Sequence, residues 1–179
     1  MAKKMKVSTV CIGALSLILL IMNVHIENDV LLALTITCAT ITYHLGMRLV
    51  VGFIFDKVMK NRADYTKSWY QSHKWELRLY ERLNVKKWKK GMPRYQPDLF
   101  MPQNHTWDEI AQAMCQAELV HETIVVLSFL PILASIPLGA FWVFLITSVG
   151  AAGIDLLFVM MQRYNRPRVV KLALKEQAK

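Results

Sequence analysis

The side chains of this sequence that could do chemistry fall into a few short groups. Glu118-x-x-His121 places a carboxylate and an imidazole on one face of a helix, with Glu122 next on the same stripe. A carboxylate beside an imidazole orients the ring and stabilises its protonated form, so His121 could take a proton from an attacking hydroxyl. A polar packing contact between helices would use the same spacing. His73 and Glu76 form a second acid/base candidate. The run Gln162-Arg163-Tyr164-Asn165-Arg166-Pro167-Arg168 directly follows a long apolar stretch. Its guanidinium forks suit bidentate phosphate binding, and Pro167 is expected to end the helix and stiffen the cluster. Together with Lys86-Lys87-Trp88-Lys89-Lys90 it reads in two ways. One is contact with a membrane surface. The other is a site for a phosphorylated donor such as coenzyme A or the phosphopantetheine of a carrier protein, or for a phospholipid headgroup.

Ionisable residues inside apolar stretches are costly and usually pair. His44 and Arg48, four apart, stack on one helix face. Arg48 lies about seven residues before the end of its stretch and Asp155 about eight before Arg163, so at about 1.5 Å per residue the two have similar depth. An Arg48–Asp155 ion pair is expected. Glu-x-x-His also occurs in helical di-iron sites, but those require two copies and further carboxylates. With one copy here, and only His44, His73 and Glu76 to complete a ligand set, no metal is expected. Cys11, Cys38 and Cys115 are scattered, with neither disulfide nor zinc spacing. Phosphate-cradling glycine loops and the G-x-S-x-G nucleophile elbow are absent, which disfavours a covalent acyl-enzyme.

The elements that must position these residues are membrane helices. In 179 residues, 54% hydrophobic content indicates a small integral membrane protein. Stretches 7–24, 30–55, 119–136 and 138–161 each have about the length that crosses some 30 Å of hydrocarbon. Pro131 interrupts the third, and Pro137 is expected to turn the chain into the fourth. The first stretch follows Lys3, Lys4 and Lys6 but no small-x-small cleavage signal comes after it, so it is expected to be an uncleaved anchor. Of the 22 Lys and Arg residues, 3 lie at the start, 12 within residues 56–118 and 6 from residue 163 onward, with Arg48 alone besides. By the positive-inside rule both termini and the insert 56–118 are cytoplasmic. The net charge of +9 is thus mainly an orientation signal, and nucleic-acid binding is not expected.

The expected fold class is an all-α membrane protein in a single membrane domain. It has four transmembrane helices, an interfacial amphipathic helix in the cytoplasmic insert 56–118, and a basic tail, 162–179. At 100° per residue, Tyr65, Trp69, Tyr70, Leu77, Tyr80 and Leu83 share one broad face, which predicts a helix over 65–83 suited to the headgroup layer. His73 and Glu76 project from its apolar side. Thr106-Trp107-Asp108-Glu109 reads as a capping box starting a helix that continues into the third span.

With those residues in place, the chain resembles the glycosyl-diaponeurosporenoate acyltransferase family of bacterial membrane proteins. The resemblance rests on Glu76 followed by Leu79-Tyr80, on Val85-Lys86-Lys87-Trp88-Lys89, on Met92-Pro93, on Ala117-Glu118-Leu119-x-His121, and on the run from Gln162 to Arg168. It covers most of residues 40–170, and the last motif is the most specific. It implies transfer of a fatty acyl group to a hydroxyl of a membrane glycolipid, a carotenoid glucoside in the named members. On this reading His121 acts as general base oriented by Glu118, with His73 and Glu76 as the alternative pair. Arg163, Arg166 and Arg168, with Lys87 and Lys89, hold the donor's phosphates. Asn165 or Gln162 bonds the thioester oxygen, and His44 and Arg48 line the inner pocket. No cofactor is bound permanently; acyl-coenzyme A or an acyl-carrier protein is the donor. Self-association is open to a bundle this small. The rival expectations are a non-enzymatic lipid- or partner-binding membrane protein and a membrane metalloenzyme.

Overall fold

The computed structural model describes residues 2–93 and 96–178, and among these no strand occurs. Helix α1 runs Ala2–Ile26, α2 Asp29–Met59, α3 Lys74–Arg82, α4 Val85–Trp88, α5 Trp107–Leu127, α6 Ser135–Leu138 and α7 Phe141–Gln177. Among the described residues, four stretches are long and apolar enough to cross a membrane: Lys3–Ile26, Asp29–Met59, Trp107–Leu138 and Phe141–Gln177. The all-helical, four-span fold read from the sequence is the fold observed.

Local chemistry sets the connections. Glu27 takes the left-handed conformation (φ 46°) after α1. Asn28 then caps α2, its Oδ1 accepting from the backbone N–H of Val30 at 2.9 Å and of Leu31 at 3.2 Å. Thr106 and Glu109 form the expected capping box: Glu109 N–H donates to Thr106 Oγ1 (3.2 Å) and Thr106 N–H to Glu109 Oε2 (3.0 Å). Pro131 opens the 3-10 turn Leu130–Ala134, which links α5 to α6. The chain does not turn at Pro137, which fits within α6. Reversal comes at Gly139 (φ 67°) and Ala140 (φ 51°), because glycine enters positive φ without a Cβ clash.

The chain forms two compact units, Met1–Gly52 with Thr123–Ile154, and Phe53–Glu122 with Asp155–Lys179. In the first, α2 buries a stripe made of Thr35, Ile36, Thr40, His44, Met47 and Val51. The hydroxyls of Thr35 and Thr40 donate to the carbonyls of Leu31 (2.8 Å) and Ile36 (2.7 Å), so their burial leaves no orphaned donor. Small residues let α1 and α2 approach closely: a Cβ on Gly13 would sit 3.3 Å from Thr42 Cγ2. The outer surface stays apolar, with Val10 70% exposed and Val30 69% exposed, as contact with lipid requires.

In the second unit the start of α5 and the end of α7 lie antiparallel. Trp107 N–H donates to Glu176 Oε2 at 3.0 Å, and Gln177 Nε2 to Asp108 Oδ1 at 3.2 Å. Ile110, Ala111, Met114, Cys115 and Ala173 are buried along this half. At 37 residues α7 is about 55 Å long, far more than the hydrocarbon needs. The residues expected as a separate tail therefore belong mostly to a helix.

Pro167 lies inside α7 and does not end it. A proline lacks the N–H that would bond the carbonyl four residues back, here Arg163 O. Ser72 Oγ donates to that oxygen instead, at 3.1 Å, so the acceptor is satisfied and the helix continues. The helix expected over 65–83 is also revised. Ser68–Tyr70 is a 3-10 turn, Gln71 and His73 are extended, and α3 begins only at Lys74. Trp69, Tyr70 and Gln71 turn their carbonyls to guanidinium donors, which outcompete the helical ladder.

Candidate functional site

The functional candidates of the second unit hang on three elements: α3, the middle of α5 and the later part of α7. Capping and burial fix α5, and its 118 and 121 positions meet α7 positions 155, 163 and 166 through the antiparallel register. Two polar clusters result.

The first contains His121. Its Nδ1 is 2.8 Å from Asp155 Oδ1, and its ring stacks on Phe158 with centroids 4.6 Å apart and planes 8° from parallel. Asp155 is almost wholly buried, while the His121 side chain keeps 22% of its surface exposed. An ionised carboxylate only accepts, so in the neutral ring the Nδ1-protonated tautomer fits this contact and leaves the Nε2 lone pair available. That is the tautomer a general base needs.

The second is a network of two arginines and two glutamates. Arg163 donates from Nε to Glu76 Oε2 (2.8 Å) and from Nη2 to Glu76 Oε1 (2.9 Å), a bidentate pair. Its Nη1 reaches Glu118 Oε1 at 2.6 Å and the Trp69 carbonyl at 3.0 Å. Arg166 Nη1 donates to Glu118 Oε2, and its Nη2 to the Tyr70 carbonyl. Glu118 is fully buried and Arg166 is 2% exposed, so two charges of each sign share a largely buried site. Burial alone raises Glu76, but the hydrogen bonds and charge of Arg163 outweigh it and hold its carboxyl below the usual value. Burial, then the neighbouring Glu76, pushes the Tyr80 phenol up to about 12. Tyr80 therefore stays a donor, 3.3 Å from Glu76 Oε2.

Below that network Val85, Tyr80 and Tyr164 form a buried apolar cluster joined by Leu77, Trp88 and Met160. Asn84, left-handed at φ 51°, folds α4 back onto it. Two cations converge on the Tyr164 ring: Lys89 Nζ at 4.8 Å and the Arg168 guanidinium at 4.7 Å from its centroid. Arg168 Nη2 also donates to the Tyr164 hydroxyl at 3.1 Å, and Lys89 donates to Asn165 Oδ1.

The model of the glycosyl-4,4'-diaponeurosporenoate acyltransferase family matches residues 66–175. The chain belongs to that family. Both polar clusters lie inside the matched acyltransferase region. No curated protein and no solved structure gives a significant match.

Among the expected site residues of this family member, His121, Glu118, Glu76, Arg163 and Arg166 are brought together in one unit. The pairing differs from expectation: the carboxylate at His121 is Asp155, while Glu118 spends both oxygens on arginines. Glu76 likewise serves Arg163, and His73 is exposed at the start of α3. Gln162 is buried, and Asn165 accepts from Lys89. Lys87 is exposed beside the Lys89 site. Glu122 accepts from the Trp69 indole N–H at 3.0 Å. His44 and Arg48 belong to the first unit, where Arg48 donates to the carbonyls of His44 (3.3 Å) and Ala151 (3.2 Å). Of the residues expected to form an ion pair, Arg48 belongs to the first unit and Asp155 to the second. Among the described residues no three His, Cys, Asp or Glu side chains converge as a metal ligand set. Ser72, Tyr80 and Tyr164 were not singled out from sequence as site residues; a hydroxyl or phenol in an amphipathic segment carries no signal of a specific partner.

Proposed function

We propose that the chain moves a fatty acyl group from a soluble thioester donor to a hydroxyl of a membrane glycolipid, with His121 as general base and Asp155 orienting it. Family membership supports the reaction class. The observation that carries the mechanism is the 2.8 Å contact between His121 Nδ1 and Asp155 Oδ1. His121 Nε2 takes the acceptor's hydroxyl proton as the oxygen attacks the thioester carbon. The tetrahedral intermediate then collapses, the carbon–sulfur bond breaks, and the imidazolium returns the proton to the leaving thiolate. Asp155 stabilises the imidazolium between these steps, as a buried carboxylate does for a catalytic histidine.

The acceptor is a carotenoid glucoside or a related glycolipid, and the donor is linked to coenzyme A or to a carrier protein. The excess of Lys and Arg in the insert and at both ends supports a site facing the cytoplasm. No permanently bound cofactor enters the scheme. Purified protein in lipid nanodiscs, given palmitoyl-coenzyme A and a glucosylated carotenoid, should yield the acylated glycolipid by mass spectrometry. His121→Ala should lower turnover by about 10²-fold or more. Undiminished turnover in that variant would remove His121 from the mechanism.

A further inference from the structure

We infer that Lys89 and Arg168, whose cations lie 4.8 and 4.7 Å from the centroid of the Tyr164 ring, form a phosphate-binding pair distinct from the two buried arginines. The basic motif seen in sequence separates physically into two parts. Arg163 and Arg166 are neutralised by Glu76 and Glu118 and are mostly or fully buried, so their donors are committed within the protein. Arg168, two residues past Arg166 on α7, is exposed and bonds a neutral phenol.

The lysine side of the pair is built rather than incidental. Val85 is fully buried against Tyr80 and Tyr164, and the left-handed Asn84 aims α4 at that contact. This anchor brings Lys89 over the ring that Arg168 also covers, with Lys86, Lys87 and Lys90 in the same short run. Two like charges placed close to one aromatic ring set up a local positive potential that attracts an anion. Tyr164 restrains both cations, which lowers the entropy lost when they close on a ligand. A phosphate monoester or diester is the matching chemistry: the arginine fork takes two oxygens and the ammonium a third. The phosphate could belong to the phosphopantetheine arm of the thioester donor or to an anionic lipid headgroup. The donor assignment rests on the proposed acyl transfer; the phosphate site itself does not.

Binding of coenzyme A, which needs no turnover, tests the pair directly. Affinity is measured on the full-length protein in phosphatidylcholine nanodiscs, for the wild type, Arg168→Gln, Arg168→Lys, Lys89→Gln and the exposed control Lys171→Gln. Thermal unfolding of each is measured with and without phosphatidylglycerol. Loss of one charge-assisted contact should weaken coenzyme A about tenfold in Arg168→Gln and Lys89→Gln, with Arg168→Lys and Lys171→Gln within about threefold of wild type. Unchanged coenzyme A binding, with loss of the phosphatidylglycerol-dependent rise in unfolding temperature, would assign the pair to a lipid headgroup and still support it. If neither ligand responds to Arg168→Gln or Lys89→Gln, or if Lys171→Gln responds equally, the pair is overturned. Failure of the acyltransferase assay alongside the expected binding losses would reject the reaction and leave the site standing.

Discussion

Arg163 grips Glu76 through two roughly parallel hydrogen bonds, 2.8 Å from Nε and 2.9 Å from Nη2. Because its remaining donors reach Glu118 and the carbonyls of Trp69 and Gln71, this one guanidinium ties α3, α5 and α7 together. The irregular chain before α3 is thus held by a side chain from α7 and has little need of a helix of its own. The same contacts make the site sensitive to pH. Glu76 has a lowered folded value, so it contributes stability that is present above the unfolded carboxylate value and lost as pH falls through the folded one. Unfolding temperature in detergent should therefore drop on acidification below about pH 4.5. Glu76→Gln should be less stable at pH 7 and should lose part of that acid dependence.

The Arg166–Glu118 pair is the most deeply buried charge contact described here. Removing one partner strands the other, so Glu118→Gln or Arg166→Met should each destabilise by about 3–5 kcal/mol in chemical unfolding. Replacing both at once with Leu and Met should recover much of that loss. A double variant as unstable as the two losses combined would mean the pair's charges are not coupled.

Ser72 and Pro167 form a testable partnership through the carbonyl of Arg163. In the wild type, Ser72→Ala leaves that partly buried acceptor without its hydroxyl donor and should cost about 1 kcal/mol. In a Pro167→Ala background the helix supplies its own N–H, and Ser72→Ala should cost markedly less. Equal costs in the two backgrounds, measured by a double-variant unfolding cycle, would show that the hydroxyl does not compensate for the proline.

For catalysis, Asp155→Asn removes the charge that fixes the His121 tautomer. Turnover should fall about 10²-fold or more, with KM for the donor changed far less. Glu118→Gln tests the alternative orienting residue. If it lowers turnover while Asp155→Asn does not, the role belongs to Glu118.

Local pattern carried the sequence reading well where the determinant was local. Apolar length marked four spans, and Thr106 with Glu109 announced the start of α5, because both depend on residues within one or two turns. The periodicity over 65–83 was real for α3, where Glu76 and Tyr80 do face inward, but it overran the helix start by nine residues. Hydrophobic spacing has no term for two guanidiniums arriving from α7 and drawing three consecutive carbonyls out of the helical ladder. Pro167 misled in the same way, since the donor that rescues its orphaned acceptor sits 91 residues earlier in the chain.

By itself the sequence determined the class of protein, the number of spans and the inventory of ionisable groups that a membrane protein must pair. Tertiary structure alone decided the partners. Glu118 and Asp155 are both carboxylates within reach of the His121 helix face, and only the register of α5 against α7 gives the first to arginines and the second to His121. That register follows from which buried surfaces close without leaving a charge unmatched, and such a balance is struck across the whole unit, not along any one stretch of chain.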